Sequence, residues 1–240
     1  MVGYQGLPQA AQSLLGLKLD AHQLKAFDWY ASELMAWNRR FNLTAIKDLP
    51  GIEVKHFLDS LTCILAMRPT PAGRVIDVGT GAGFPGLPLK IVYPQIQLTL
   101  VESISKKVEF CFHVVRSLEL RGVDVVHARA EQVGHQPKHR QSYDWAIARA
   151  VATTSVLVEY LLPLLRLGGR AILLKGQTAP AETQAAEGAL RILGGQVDQL
   201  ISIELPTVVE TRHLVVVDKV AATPSKYPRR SGIPAKRPLG

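Results

Sequence analysis

Apolar residues recur at helical intervals through the first part of the chain. Between residues 20 and 42, one face of the expected helix carries Leu24, Phe27, Tyr30, Ala31, Leu34 and Trp37. Asp20 precedes this pattern and is a suitable N-cap. A second apolar stripe predicts a helix over residues 52–67, which Pro69 and Pro71 end. Residues 1–70 are therefore expected to form a helical extension that packs on the rest of the protein.

From Arg74 the pattern changes to short apolar runs that alternate with helical segments. Such runs are typical of strands in a parallel sheet that is buried on both faces. The five predicted strands cover residues 75–78, 98–101, 123–127, 145–148 and 170–174. The predicted helices between and after them cover residues 86–92, 104–118, 153–165 and 180–193.

The last two predicted strands, residues 197–205 and 213–219, are separated by a link that is too short for a helical crossover. They are therefore expected to pair in antiparallel fashion. The whole pattern predicts an α/β fold, in which residues 71–220 form a doubly wound sheet with one antiparallel strand. Residues 221–240 are expected to form a flexible basic tail.

A glycine-rich loop follows the first predicted strand. Asp77 stands near the end of that strand, and four glycines follow it: Gly79, Gly81, Gly83 and Gly86. Glycines let the backbone take positive φ and let a ligand approach the main chain closely. Glu102 ends the next strand, where a carboxylate can accept hydrogen bonds from both ribose hydroxyls of an adenosine group, or simply cap the strand. The loop is therefore expected to hold a nucleotide-like cofactor.

Dehydrogenases and methyltransferases share these features, and Asp77 favours the second class. A dinucleotide needs N–H donors for its pyrophosphate, which a nearby carboxylate would repel. S-adenosylmethionine carries a sulfonium and an ammonium instead, and a carboxylate beside the loop suits those cations. Two alternatives stay open from the residues alone: a nicotinamide-dependent oxidoreductase, and an RNA-binding module without catalysis.

The chain of 240 residues has a formal net charge of +8, and the surplus lies at its C-terminal end. No acidic residue follows Asp218, whereas six basic residues do: Lys219, Lys226, Arg229, Arg230, Lys236 and Arg237. A localised basic segment is typical of proteins that bind an anionic polymer, and also of solvated termini that aid solubility.

No apolar run is long enough to span a membrane, and the N-terminus lacks the pattern of a signal peptide. A cytoplasmic location is therefore expected. Cys63 and Cys111 lie far apart in apolar surroundings and are interpreted as buried thiols. Two isolated cysteines do not make a zinc site, and no metal site is expected.

Motifs in three places resemble the RsmG (GidB) family of bacterial small-subunit ribosomal RNA methyltransferases. They are residues 38–45 (Asn-Arg-Arg-Phe-Asn-Leu-Thr-Ala), 56–61 (His-Phe-Leu-Asp-Ser-Leu) and 77–86 (Asp-Val-Gly-Thr-Gly-Ala-Gly-Phe-Pro-Gly). Similar segments continue into the tail, so the resemblance covers nearly the whole chain from about residue 20. It implies a class I, Rossmann-like methyltransferase that uses S-adenosyl-L-methionine to methylate N7 of a guanine in the decoding-region loop of 16S ribosomal RNA.

The residue chemistry above and the resemblance together indicate which residues form the site. Those expected to bind the cofactor are Asp77, Gly79, Gly81, Gly83, Phe84, Glu102, Ser103, Ile104, Ala130, Glu131 and Arg149. Those expected to position the reaction are Arg149, Asn42 and His56, without a general base. Those expected to bind RNA are Arg39, Arg40, Lys226, Arg229, Arg230, Lys236 and Arg237. The expected partner is 16S ribosomal RNA or the small ribosomal subunit, and a monomer is the default expectation.

Several of these residues have alternative interpretations. Arg149 follows the fourth predicted strand at the ligand-binding edge of the sheet, but it could instead form a salt bridge with Asp77 or Asp144. His56 and Asp59, spaced i, i+3, could be a surface pair on one helix face. Asn42 could cap a turn or read a base. Trp37 and Phe41 could stack on RNA, although helical spacing favours the core for Trp37.

The residues present agree with methylation of a ring nitrogen. Guanine N7 has a free lone pair, so its methylation needs positioning and electrostatics rather than a base. Methylation of a pyrimidine carbon requires a cysteine nucleophile, and neither cysteine lies at a strand end. Enzymes that methylate exocyclic amines usually carry Asn/Asp-Pro-Pro-Tyr after the fourth strand, where this chain has Ala-Arg-Ala-Val at residues 148–151.

Overall fold

A computed structural model describes residues 6–67 and 71–240, in which seven strands form one mixed sheet. The strands are β1 (Arg74–Val78), β2 (Gln97–Glu102), β3 (Val123–His127), β4 (Tyr143–Arg149), β5 (Leu165–Lys175), β6 (Gly195–Ile203) and β7 (Arg212–Lys219). Their order across the sheet is β3-β2-β1-β4-β5-β7-β6. β1 to β5 run parallel, and β7 runs antiparallel to both β5 and β6. The predicted doubly wound fold with one antiparallel strand is confirmed.

Helices cover both faces of this sheet. The α-helices are α1 (Leu7–Leu15), α2 (Ala21–Phe41), α3 (Leu49–Ile52), α4 (Asp59–Leu61), α5 (Gly86–Val92), α6 (Ser105–Ser117), α7 (Ala130–Val133), α8 (Thr154–Leu161), α9 (Ala179–Ala185), α10 (Glu187–Leu193) and α11 (Ile233–Lys236). The sequence pattern did not predict α1, α7 and α11. It predicted one helix over residues 180–193, whereas the structure has two, α9 and α10, which meet at Ala186. Asp20 does cap α2, as predicted, and forms a capping box with Gln23.

The predicted helix over residues 52–67 is present but irregular. α3 passes directly into a π-helical turn at Glu53–Leu58, then into α4, then into a 3₁₀ turn at Thr62–Leu65. An apolar stripe does not distinguish these turns, because all of them bury one side. π-helical turns frequently occur at functional sites, and this one carries His56. Pro69, which is predicted to end the helix, lies outside the described residues.

Two apolar layers form the core, one on each face of the sheet. The first joins α1, α2 and the irregular helix to α5 and α6, with the rings of Phe27 and Phe57 4.9 Å apart. The second lies under α8 and α10. Because the helical extension and the sheet share the first layer, the extension is an integral part of the fold. The exact division at residues 70 and 71 stays a prediction.

The C-terminal segment, residues 221–240, packs along the second layer. Tyr227 is buried in that layer, and Pro228 is buried beside it. Arg229 forms an ion pair with Glu159 at 2.6 Å. These contacts differ from the flexible tail that the sequence predicts. Sequence composition did not indicate them because the anchoring acids lie about 70 residues upstream.

Candidate active site

The glycine-rich loop connects β1 to α5 and is tied to the end of β2. The N–H groups of Gly79 and Thr80 donate to the carbonyl of Val101 at 2.8 and 3.1 Å. Gly79, Gly81 and Gly83 have φ values of 71°, 61° and 98°, a region that other residues rarely adopt. A Cβ placed on Gly81 would meet no atom within 4 Å. The backbone at this position is therefore open to a ligand.

Asp77 supports this loop from beneath. Its side chain is fully buried, and Oδ2 accepts hydrogen bonds from the Thr80 hydroxyl at 2.6 Å and the Gly86 N–H at 2.8 Å. Burial raises the pKa of this carboxyl to about 7, and Oδ1 has no hydrogen-bond partner among the described residues. The sequence predicts that Asp77 binds the cofactor, whereas in the structure it supports the loop. The reason is that its carboxylate accepts hydrogen bonds from Thr80 and from the N-terminus of α5.

Glu102 holds the other side of the loop. Its Oε2 accepts from the Gly81 N–H at 2.9 Å. Its Oε1 accepts from the N–H groups of Ser103 and Ile104 at 2.7 and 2.9 Å. A carboxylate offers about four acceptor positions, so this one retains capacity for a ligand hydroxyl.

Two adjoining cavities surround this loop. One has a volume of about 470 Å³ and is lined by seven of the predicted cofactor residues: Gly79, Gly81, Phe84, Glu102, Ser103, Ile104 and Arg149. The other, of about 130 Å³, shares Gly79, Glu102 and Ser103 and adds the predicted Ala130 and Glu131. The residues fit S-adenosylmethionine, because Glu102 and Glu131 offer acceptors for its hydroxyl and amino groups.

Arg149, at the end of β4, is held by the π-helical turn. Its Nη1 donates to the Asp59 carboxylate and to the Lys55 carbonyl, both at 2.9 Å. Its Nη2 contacts His56 Nδ1 at 3.0 Å. The salt-bridge partner of Arg149 is therefore Asp59. The alternative interpretation, in which Arg149 pairs with Asp77 or Asp144, is wrong. His56 and Asp59 are both buried and face the site, so they are not a surface pair.

His56 is a neutral hydrogen-bond relay. Because Arg149 can only donate, Nδ1 must accept, and the ring proton sits on Nε2. Nε2 then donates to the Thr44 hydroxyl at 2.8 Å. Burial, and secondarily the charge of Arg149, lower the pKa of His56 to about 3. The ring also stacks on Phe84, with centroids 4.4 Å apart and planes 7° from parallel.

A third cavity, of about 290 Å³, also borders His56 and Arg149. Four cationic residues line it: Lys55, Arg149, Lys175 and Arg212. Asp59 pairs with Arg149 at 2.9 Å and with Arg212 at 3.9 Å, and Glu182 binds Lys175 at 2.6 Å. Since two carboxylates face four cations, the cavity keeps an excess of positive charge. His56 and Arg149 line both this cavity and the one above the glycine loop. Lys55, Lys175 and Arg212 were not predicted as site residues, although Lys175 ends and Arg212 begins a strand at this edge of the sheet.

The family model described as GidB, rRNA small subunit methyltransferase G, matches residues 23–215 of the chain. The chain belongs to this family. It is 54% identical to "Ribosomal RNA small subunit methyltransferase G" of Roseiflexus castenholzii, over 93% of this chain and 95% of the relative. It is 46% identical to the protein of the same name in Alkaliphilus metalliredigens, over 94% of each.

Solved structures confirm the fold of this family member. A SAM-dependent methyltransferase from Aquifex aeolicus matches with a TM-score of 0.54 and 16% identity, over 78% of this chain and 97% of that one. A mutant of MtNAS, solved in complex with S-adenosylmethionine, matches with a TM-score of 0.54 and 17% identity, over 83% of this chain and 72% of that one. Both likenesses agree with the Rossmann-like α/β fold that the sequence predicts.

Asn42 belongs to the motif at residues 38–45 but lines none of the cavities described above. It ends α2 in the left-handed conformation, with φ 49° and ψ 54°, and its side chain is exposed. The capping interpretation thus agrees with the structure better than base reading. Asn38 holds the next turn instead, because its amide group exchanges two hydrogen bonds of 2.9 Å with the backbone of Thr44. Thr44, which contacts His56, was missed although it belongs to the recognised motif.

The predicted RNA-binding residues fall into two groups. Arg39 and Arg40 are exposed in the last turn of α2, and Arg40 lies over the ring of Phe41. The tail residues Lys226, Arg230, Lys236 and Arg237 are exposed as well. Arg229 differs, because its guanidinium is occupied by Glu159. Trp37 packs half-buried between Phe110 and His113, which supports its assignment to the core.

The described residues contain no helix long and apolar enough to cross a membrane. Within the same residues, no three His, Cys, Asp or Glu side chains are grouped so as to hold a metal ion. Cys63 and Cys111 are buried free thiols, as predicted.

Proposed function

We propose that this chain methylates N7 of a guanine in 16S ribosomal RNA, with the cofactor in the cavities around the glycine loop and the target base in the cationic cavity. The chain is a member of a family of S-adenosylmethionine-dependent small-subunit rRNA methyltransferases. One observation supports the placement of the two ligands. The cavity above the loop and the cationic cavity both border His56 and Arg149, so a methyl donor and an acceptor base would meet there.

The cofactor supplies a methyl group bound to a sulfonium. In this placement Glu102 accepts hydrogen bonds from the ribose hydroxyls, and Ala130 with Glu131 borders the adenine. Asp77 keeps the loop in shape through its hydrogen bonds from the Thr80 hydroxyl and the Gly86 N–H. Phe84 forms an apolar wall, because its ring is stacked between Tyr30 at 5.3 Å and His56 at 4.4 Å.

Arg149 and Asp59 are suited to a reaction that creates a cationic ring. A methylated guanine carries a positive charge, which an unpaired arginine would repel. In this site the Asp59 carboxylate lies 2.9 Å from Nη1 of Arg149, and His56 is neutral. The guanidinium can therefore donate to a base edge or a phosphate without adding net charge beside the ring.

No residue needs to remove a proton in this reaction, because N7 offers its lone pair directly. The site contributes position instead, since the nucleophile must lie about 3 Å from the methyl carbon in line with the leaving sulfur. His56, Thr44 and Asn38 form a hydrogen-bonded chain that fixes the wall between the two ligands. Their role is to exclude misaligned poses.

The partner that this function requires is 16S ribosomal RNA, free or within the small subunit, and the compartment is the cytoplasm. Lys55 and Arg212 at the cationic cavity, together with Arg39 and Arg40, provide positive charge for the RNA backbone. A monomer is sufficient, because one chain supplies every residue of the proposed site.

Labelled S-adenosylmethionine tests this proposal directly. The full chain is incubated with small subunits from a strain that lacks the modification, and also with subunits from the parent strain. We expect label in 16S ribosomal RNA of the first sample only, and digestion should release it as 7-methylguanine. Label at another atom, or no label despite cofactor binding, would contradict the proposal.

A further inference from the structure

The C-terminal segment is fastened to the domain by its backbone. Arg140 clamps it, because its guanidinium donates to the carbonyls of Tyr227 at 2.7 Å and Thr223 at 3.0 Å. His135 Nε2 donates to the carbonyl of Pro228 at 2.6 Å. A Cβ on Gly134 would lie 2.7 Å from Pro228, so the missing side chain at this position makes room for the segment.

A buried ion pair then fixes the next residue. Glu159 of α8 is fully buried, and it accepts from the Arg229 N–H at 2.8 Å, from Nε at 2.9 Å and from Nη2 at 2.6 Å. A buried carboxylate loses its hydration, so it depends on such a partner. Arg230, the next basic residue, is exposed, and its side chain forms no hydrogen bond or ion pair within residues 6–67 and 71–240. The two adjacent arginines therefore have different roles.

The fastened segment reaches the proposed cofactor site. The N–H of Gly232 donates to Oε1 of Glu131 at 2.8 Å. Glu131 is buried and lines the cavity of about 130 Å³ beside Glu102, and Tyr160 of the same cavity also donates to Oε1 at 3.5 Å. Ser231 lines a neighbouring cavity together with Ser103. The orientation of the Glu131 carboxylate thus depends on where the C-terminal segment lies.

We propose that residues 227–234 position the cofactor site, with Arg229 as the positioning residue that holds Gly232 against Glu131. This inference rests on the proposed function, because it assigns the cavity of about 130 Å³, which Glu131 lines, to the adenosine end of S-adenosylmethionine. Arg229 acts through Glu159 and the segment backbone, and it contacts neither ligand. Arg229 is thereby assigned to cofactor affinity rather than to RNA binding, whereas the exposed Arg230 remains available for RNA.

Thermodynamic reciprocity provides a test on the unmodified protein. If the segment favours cofactor binding, the cofactor must stabilise the segment to the same degree. Amide hydrogen exchange is measured with and without saturating S-adenosylmethionine. We expect exchange at Gly232 to slow at least fivefold, whereas exchange at Ala221, whose N–H donates to the Gly194 carbonyl at the opposite edge of the sheet, stays unchanged. Unchanged exchange at Gly232 while the cofactor binds overturns the inference alone; absent cofactor binding contradicts the proposed function.

The adjacent arginines supply matched variants. We expect Arg229→Ala to raise Kd and KM for S-adenosylmethionine at least tenfold, with kcat at saturating cofactor and KM for small subunits within twofold of the parent. Arg229→Lys, which keeps the charge, should recover part of the loss. Arg230→Ala should leave Kd for the cofactor unchanged. If both alanine variants change only KM for the subunits, the inference is wrong. If Arg229→Ala does not fold, the exchange measurement still decides.

Discussion

The surroundings of His56 determine its protonation state and the hydrogen-bonding role of each ring nitrogen. Desolvation and the guanidinium of Arg149 keep the imidazole neutral at every pH near physiological. Its two nitrogens then have fixed and different roles, one accepting from Arg149 and one donating to Thr44. A histidine usually titrates in this range, so its neutrality is a property of the folded site that acid conditions can reveal.

The lowered pKa of His56 predicts a loss of stability in acid. Between pH 6.5 and about 3 the unfolded chain binds a proton here that the folded protein does not. Folding stability contributed by the neutral ring is therefore lost as pH falls through this window. From pH 6.5 to 5 we expect the wild type to lose about 2 kcal/mol relative to His56→Gln. Asp77, which titrates in the opposite sense in both proteins, cancels in this difference.

Urea unfolding of both proteins at the two pH values measures this effect. The glutamine side chain retains an acceptor for Arg149 and a donor for Thr44, so the variant should fold. Parallel pH dependence of the two unfolding free energies would mean that His56 titrates normally.

Gly81 and Gly83 should respond differently to alanine. A Cβ on Gly81 meets open space, so Gly81→Ala should cost about 1–2 kcal/mol of strain from its φ of 61° and raise Kd for S-adenosylmethionine at least tenfold. A Cβ on Gly83 would overlap Leu87 and lie 2.5 Å from the Tyr30 hydroxyl. Gly83→Ala should therefore mainly lower the melting temperature. Thermal unfolding and isothermal titration separate the two effects, and equal cofactor affinity in Gly81→Ala and wild type would refute the loop assignment.

At the scale of secondary-structure elements, α2 is a support for the cofactor loop. The buried Tyr30 hydroxyl donates to the carbonyl of Ala82 at 2.5 Å, and its ring stacks on Phe84. Apolar spacing predicted α2 and placed Tyr30 on its buried face. Apolar spacing does not predict the hydrogen bond from Tyr30 to Ala82, because Ala82 lies 52 residues further along the chain.

Removal of the Tyr30 hydroxyl should weaken both folding and cofactor binding. Tyr30→Phe leaves the Ala82 carbonyl without this donor in a buried setting, which costs about 1–3 kcal/mol. We expect this loss in chemical denaturation and a several-fold rise in Kd for S-adenosylmethionine. Tyr93→Phe is the matched control, because the half-buried Tyr93 hydroxyl has no hydrogen-bond partner among the described residues. Similar values for both variants would show that α2 does not support the loop.

The irregular helix at residues 49–65 contains a π-helical turn that the sequence pattern does not reveal. Its apolar stripe predicted a helix, and a helix is present. The π-helical turn within it aims the Lys55 carbonyl, His56 and, just beyond it, Asp59 at Arg149. Helical periodicity does not distinguish such a turn from an α-helix, so the i, i+3 spacing of His56 and Asp59 was compatible with a surface pair. Their contacts with Arg149, at the end of β4, show that both residues face the site.

For the whole molecule, the proposed function predicts that the placement of exposed positive charge, rather than the net charge, governs RNA binding. The net charge of +8 includes Lys219, which is buried and whose pKa burial lowers to about 7, and Arg229, which Glu159 neutralises. The exposed positive charge at the ligand-binding edge includes Lys55, Arg39 and Arg40. The salt dependence of RNA binding should therefore be sensitive to which exposed basic residues are removed rather than to the total charge of the protein.

The double variant Arg39→Ala/Arg40→Ala tests this distribution. Each phosphate contact to single-stranded RNA contributes about −0.7 to the slope of log affinity against log salt. We expect the variant to flatten that slope by about one unit while Kd for S-adenosylmethionine stays unchanged. Arg121→Ala/Arg191→Ala is the control, because both exposed arginines precede strands at the opposite edge of the sheet. Equal slopes in the two variants would contradict a localised RNA surface.

The sequence alone determined the fold class, the family, the cofactor and the position of the glycine loop, because these depend on local spacing and on contiguous motifs. Only the tertiary structure decided that Asp59 pairs with Arg149, that Asp77 supports the loop, and that Arg229 fastens a packed C-terminal segment. Each of these is a contact between polar side chains or backbone groups brought together by folding. The charge and spacing of residues in the sequence indicate which side chains could form such contacts. Burial and geometry in the folded protein determine which pairs form.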